Sequence, residues 1–402
     1  MIDRPEIHGS HLRGMSRLAF DGMVGLIGMV ETMHGNIARH SGLASWAEGR
    51  TRGITRLVYR SIRGVTHLTG AGVDAALSLL DPILATEHPR PAPEAARAAI
   101  NGVLGDHLAE TSNPLAIPMR LRHHGRPLRL DRNSLAEALT PQCSRLVVLV
   151  HGLCLNHRHW HRDGHDHGAA LARDLGYTPL YLHYNTGLHI SANGRAFADL
   201  LQMLVAEWPV PLEELVIIGH SMGGLVSRSA CYYGASKGHD WLRHLRKLIF
   251  LGTPHHGAPM ERGGQWLHLV LDKSRYTAAF THLGRIRSAG ITDLRYGNLL
   301  DGDWQDRDRF KHVGDTRQAI PLPEGVQCFA IAASTGSRAS GLRDRLLGDG
   351  LVPVCSALGQ HEEPHRTLPI PESRQWIGRA MNHFDLLSRQ DVYKQITLWL
   401  DL

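Results

Sequence analysis

From about residue 115 onward, short unbroken apolar runs alternate with stretches of helix length. The runs are RLVVLV (Arg145–Val150), PLYLHY (Pro179–Tyr184), LVIIG (Leu215–Gly219), KLIFLG (Lys247–Gly252) and VQCFAIA (Val326–Ala332). A strand with one wet face would alternate apolar and polar residues, and these do not. Continuous runs of this kind predict an α/β fold: a mostly parallel sheet with helices on both faces. Ahead of them, AIPMRLRHHGRPLRL alternates on either side of a His-Gly pair and predicts a hairpin.

Two further regions stand out. Between the fourth and fifth runs lies a segment far longer than a crossover needs, with QWLHLVL (Gln265–Leu271) and then Phe280, Leu283 and Ile286 at helical spacing. It predicts a helical lid insertion, at about residues 257–322, over the strand ends. Residues 1–112 are instead helical in pattern, interrupted by glycines and free of strand-like runs, with a joint at PRPAP (Pro89–Pro93). This divides the chain into an N-terminal helical region, 1–112, and a sheet-bearing domain, 113–402.

In the first region, Arg52, Arg56, Arg60 and Arg63 form a stripe roughly 80° wide at helical periodicity. Ile54, Leu57, Val58, Ile62, Val65 and Leu68 fall opposite. Arg52–Leu68 reads either as a helix lying peripherally on a membrane or as one that packs its apolar face on neighbouring elements. Gly53, Gly64, Gly70 and Gly72 suit close packing at least as well as membrane binding.

Composition narrows the classes. The 402 residues, 43% hydrophobic, are enough for one large core with additions. A net charge of +6 permits attraction to anionic surfaces, but no nucleic-acid signature accompanies it, so nucleic acid is not an expected partner. Five cysteines, widely spaced and without CxxC, indicate neither a disulfide framework nor a structural zinc site. MVGLIGMV (Met23–Val30) is far too short to span a bilayer, and the start lacks a secretory pattern. The expected location is cytoplasmic, either soluble or peripheral to the inner face of a membrane.

The chemistry centres on LVIIGHSMGGL (Leu215–Leu225). A G-x-S-x-G sequence between strand and helix bends the chain sharply. It presents the serine hydroxyl at the strand's C-terminal edge, with the helix N-terminus aimed at the same place. Here Ser221 is the candidate nucleophile, within an elbow of Gly219, His220 and Gly223. GDGLVP places Asp349 between two glycines at the head of a helix-like stretch, and MNHFDLL places His383 ahead of the last helix. The order Ser, Asp, His is that of an α/β-hydrolase triad. His383 would take and return the Ser221 proton, while Asp349 would hold the imidazole tautomer. The N–H groups of Leu153, after the turn His151-Gly152, and of Met222 are candidate oxyanion donors.

Taken together, VHGLCLN, GHSMGGL, FLGTPHHGAP, GDGLVP and NHFD resemble the α/β-hydrolase superfamily. Within it the chain looks like bacterial triacylglycerol lipases and lipid esterases of the GPI-inositol-deacylase type. The resemblance covers roughly residues 115–402 and implies a serine esterase acting on acyl or lipid esters, with no cofactor. An acyltransferase or polyester depolymerase would use the same triad. A non-catalytic lipid-binding protein would be expected to have lost a triad or oxyanion position, and none is lost.

Metal chemistry has weaker support. NHRHWHRDGHDHG (Asn156–Gly168) would put His157, His161 and His165 on one face of a helix, but Gly164 and Gly168 oppose one. A polar loop is the expectation. Asp385 falls where some bacterial lipases carry a calcium ligand, yet no second carboxylate matches, and an acid at a helix N-terminus explains it as well. DGDWQDRD (Asp301–Asp308) fails the EF-hand pattern, lacking glycine in the sixth place.

Overall fold

Among the described residues, eight strands pair in the order β2-β1-β4-β3-β5-β6-β7-β8. They are β1 (Arg120–His123), β2 (Arg126–Pro127), β3 (Arg145–Val150), β4 (Thr178–His183), β5 (Glu214–His220), β6 (Leu245–Leu251), β7 (Gln327–Ser334) and β8 (Gln375–Arg379). The β1–β2 hairpin and its junction with β4 are antiparallel. The other pairings run parallel. The computed structural model describes residues 13–24, 60–69, 71, 73–74, 94–139, 143–258, 288–306, 315, 317–336 and 348–402.

All five predicted runs are strands of the sheet, with boundaries shifted by a residue or two. The hairpin forms where His124 and Gly125 both take positive φ (47° and 78°), as a tight turn of primed type requires. From Leu146 to Val150 every side chain of β3 is fully buried. Residues of alternate parity then serve opposite faces. Val147 and Leu149 of β3 share a core cluster with Val216 and Ile218 of β5, Ile249 and Leu251 of β6, and Phe329 and Ile331 of β7. Each such side chain contributes on the order of 2 kcal/mol by leaving water.

From Glu94 onward there are eight helices among the described residues: α1 (Glu94–Glu110), α2 (Arg132–Ala138), α3 (His167–Leu175), α4 (Ile190–Ala206), α5 (Met222–Lys237), α6 (Ala289–Asp293), α7 (Val354–Ala357) and α8 (Gln390–Leu400). Helix α8 brings Val392, Ile396 and Trp399 into the cluster named above, and α3 brings Leu171. Helices α4 and α5 pack together so closely that a Cβ on Gly194 would stand 2.2 Å from Ser229 Oγ.

Two compact units are distinguishable: residues 1–93 with Leu108–Ala116, and Glu94–His107 with Ile117–Leu402. In the first, Arg17 grips Asp74 through two 2.7 Å hydrogen bonds, and Arg13 adds two more at 3.2 and 3.3 Å. These bonds hold the Asp74 carboxyl down at about 2. Residues 60–69 are helical, and Ile62, Val65 and Leu68 there are 43%, 63% and 76% exposed. The rest of the basic amphipathic segment, 52–59, lies outside the described residues. So do 259–287, 307–314 and 316 of the expected lid insertion. Among the described residues, no helix is long and apolar enough to cross a membrane.

Candidate active site

Strand β5 ends at His220 and helix α5 begins at Met222, leaving Ser221 alone to turn the chain. It does so at φ 54°, ψ −125°, a conformation that costs a non-glycine residue on the order of 1–3 kcal/mol. Its N–H is anchored on the Leu251 carbonyl of β6 at 2.8 Å. The elbow leaves no room for side chains on its flanks. A Cβ on Gly219 would meet Gly224 backbone at 2.6 Å, and one on Gly223 would meet the Val150 carbonyl oxygen at 2.2 Å. Gly224, not singled out from the sequence, is just as constrained, because its Cβ would lie 2.0 Å from Thr253 Oγ1. The GGL that follows the elbow was the available signal.

Asp349 and His383 are in direct contact. Nδ1 of His383 donates to Asp349 Oδ2 at 2.6 Å, with both side chains almost fully buried. The other carboxylate oxygen, Oδ1, accepts from the backbone N–H groups of Leu351 (2.9 Å) and Val352 (2.8 Å). The Asp349 carbonyl in turn receives the His383 N–H at 3.2 Å. Asp349 therefore sits in a backbone-lined loop between β7 and α7, five residues before that helix begins rather than at its head. A donating Nδ1 leaves Nε2 as the acceptor, and Nε2 is buried without a hydrogen-bond partner.

Ser221 and His383 are joined through shared neighbours rather than by a hydrogen bond between them. Gly252 follows the carbonyl that anchors Ser221, and a Cβ on it would stand 3.1 Å from the His383 ring. His220, immediately before the serine, donates from Nε2 to the His383 carbonyl at 3.1 Å. The two rings lie 4.7 Å apart. Burial and the neighbouring His383 hold His220 far below the usual imidazole range, so it is neutral. The elbow thus contacts the C-terminal histidine loop on two sides.

The candidate oxyanion loop is pressed against the serine. A Cβ on Gly152 would be 2.9 Å from Ser221 Cβ. Tyr184 donates to the His151 carbonyl at 2.7 Å, and Thr186 Oγ1 accepts from Cys154 N–H at 3.1 Å. These bonds fix the loop on both sides of Leu153, which is buried. Met222 is the first residue of α5, so its N–H has no acceptor within the helix. His151 stacks on Tyr184 at 4.5 Å and donates from Nδ1 to the Gly152 carbonyl. Burial pushes its imidazole down to about 3, making it a neutral prop of the turn.

The histidine-rich segment is a four-residue 3-10 turn, His157–Trp160, followed by a loop. His157, His161 and His165 do not share a helical face. His167 is fully buried, donating to the Leu386 carbonyl at 3.0 Å and receiving a hydrogen bond from His165 at 2.9 Å. Asp385 accepts from the Asn382 N–H at 2.8 Å and opens a three-residue 3-10 turn. Among the described residues, no group of three or more His, Cys, Asp and Glu side chains could hold a metal ion.

Comparison with known families gives one match, to the PGAP1-like alpha/beta domain, over residues 143–316. That stretch contains β3 to β6, the turn at Ser221 and the candidate oxyanion loop. The chain has an α/β-hydrolase-superfamily fold. Among solved structures, a lipase of Bacillus licheniformis, BlEst2 in its mature form, is similar at 18% identity and TM-score 0.42, over 70% of this chain and 97% of that one. Aspergillus fumigatus lipase B is similar at 10% identity and TM-score 0.36, over 67% and 57%. A thermophilic esterase from Thermogutta terrifontis is similar at 14% identity and TM-score 0.36, over 71% and 93%. No curated protein matches the chain.

Proposed function

We propose that this α/β-hydrolase is a serine carboxylic-ester hydrolase acting on acyl or lipid esters. The observation that carries the reading is the buried 2.6 Å hydrogen bond between His383 and Asp349, with His383 Nε2 left free as an acceptor. In this reading Nε2 takes the proton from Ser221 as its oxygen attacks the ester carbonyl. The N–H groups of Leu153 and Met222 receive the oxyanion. His383, now an imidazolium beside Asp349, returns the proton to the departing alkoxide. Water then enters the same cycle and releases the acid from the acyl-enzyme. The Ser221–His383 hydrogen bond forms in this reading as substrate binds, when such catalytic hydrogen bonds tighten.

The test is hydrolysis of p-nitrophenyl esters from C2 to C16 by the purified protein beside Ser221→Ala. Activity lost in the mutant, with folding intact, is the expected result, and the chain-length optimum separates esterase from lipase behaviour. If neither protein hydrolyses any ester and a fluorophosphonate probe fails to label Ser221 in detergent, the reading is wrong.

A further inference from the structure

Helix α5 carries a buried arginine about 10 Å along its axis from the elbow, at the rise of an ideal helix. Arg228, seven residues after Ser221, is 5% exposed. Its Nη2 donates to the Ile320 carbonyl at 2.9 Å, and its Nη1 lies 3.4 Å from His255 Nδ1. Its Nε is buried with no partner. No carboxylate pairs with it among the described residues. A guanidinium buried this way is costly unless an anion compensates it. Burial, reinforced by nearby Arg317, lowers it to about 10, so it still carries its charge at neutral pH.

Arg228 lines a cavity of about 290 Å³. Two other arginines there are already matched. Arg317 pairs with Asp315 at 3.1 Å, and Arg366 pairs with Asp315 at 3.2 Å and with Glu363 at 2.9 Å. Asp303, which also acts on Arg317, is tied up by the N–H groups of Leu299, Leu300 and Gln318. His255 adds a second orphan. Accepting from Arg228 at Nδ1 places its proton on Nε2, which is buried without a partner. The unmatched groups are therefore donors, beside one unmatched positive charge. One stretch of the wall, formed by Leu299, Ile320, Pro321 and Leu368, is apolar, and His256, Gln318, His365 and Thr367 line the rest beside the arginines.

We infer that this cavity binds a phosphate ester, its charged oxygens on Arg228 and His255 and its organic part against the apolar wall. A tetrahedral oxyanion accepts from several directions and suits donors on separate elements, and arginine recognises phosphate well. The ester is either the headgroup of a lipid or a free phosphomonoester. This inference does not require Ser221 to be a nucleophile.

The experiment uses the Ser221→Ala chain, so that nothing is turned over, and follows thermal unfolding at matched ionic strength. Glycerol 3-phosphate at a hundredfold excess over its Kd is expected to raise Tm by about 2–5 °C over chloride. Adding Arg228→Met should abolish that shift, and His255→Phe should weaken it should the arginine variant fail to fold. No shift beyond chloride, an equal shift with acetate, or an undiminished shift in the foldable variant overturns the inference. Dihexanoyl-phosphatidylcholine and dihexanoylglycerol then identify the source. Protection by the phospholipid at tenfold lower concentration than glycerol 3-phosphate assigns a lipid headgroup, and protection by glycerol 3-phosphate at equal or lower concentration assigns a free ester. Equal protection by the phosphate-free diacylglycerol overturns the proposal.

Discussion

His220 Nε2 donates across 3.1 Å to the backbone carbonyl of His383, so the residue before the elbow serine holds the histidine loop in place. His220 touches neither substrate nor proton in the proposed cycle, which makes it a positioning residue. His220→Phe is expected to lower kcat about tenfold with KM little changed, the loss of one buried hydrogen bond. His220→Gln, which keeps a donor, should recover part of it. A matching rise in KM, or no change in either constant, would count against this role.

Ser221 stores backbone strain at φ 54°. Glycine tolerates that conformation, so Ser221→Gly is expected to be inactive yet more stable, by about 1 kcal/mol. Ser221→Ala should be inactive at unchanged stability, since alanine is strained there too. Urea midpoints of the three proteins decide the matter, and a destabilised glycine variant would mean that the hydroxyl, not the turn, governs stability at this position.

Asp349 fixes the His383 tautomer through its 2.6 Å hydrogen bond. Asp349→Asn presents an amide to Nδ1 and favours the wrong tautomer, so kcat should fall by about 10³–10⁴ while the protein stays folded. Ester hydrolysis within tenfold of wild type would remove Asp349 from the proposed mechanism.

Two fully buried histidines make the fold acid-sensitive. Burial holds His151 at about 3 and His167 at about 4, against about 6.5 in an unfolded chain. Between those values the unfolded chain binds protons that the folded chain does not. Stability is therefore full above pH 6.5 and falls as pH drops toward the folded values, by about 2 kcal/mol per histidine at pH 5. A urea midpoint equal at pH 7.5 and pH 5.0 would contradict this.

The central strands were legible because strands covered on both faces must be apolar throughout, as β3 is from Leu146 to Val150. The elbow was legible because its glycines leave a fixed spacing around Ser221. Strand β8 was not. Gln375–Arg379 (QWIGR) pairs only with β7 and is mostly half-buried, so it carries no apolar run to read. The second unread feature was Arg228, which sits in an ordinary helical stretch, SRSACYY, and differs from a surface arginine only once tertiary packing has closed over it. The contacts of the 157–167 segment were equally unreadable: His165 donates to His167, and His167 to the Leu386 carbonyl, more than two hundred positions away.

The pairing of His383 with Asp349 and of its carbonyl with His220 spans 34 and 163 positions of the chain. The elbow alone can form once β3, β5 and β6 have associated, whereas the histidine loop waits for the segment beyond β8. Parallel strands and such distant partners gather slowly. Under the proposed mechanism, a nascent chain in which His383 has not yet been made would thus hold a formed elbow without its base. In refolding, recovery of hydrolysis should correspondingly lag behind recovery of helix and sheet, and the delay would time the arrival of His383.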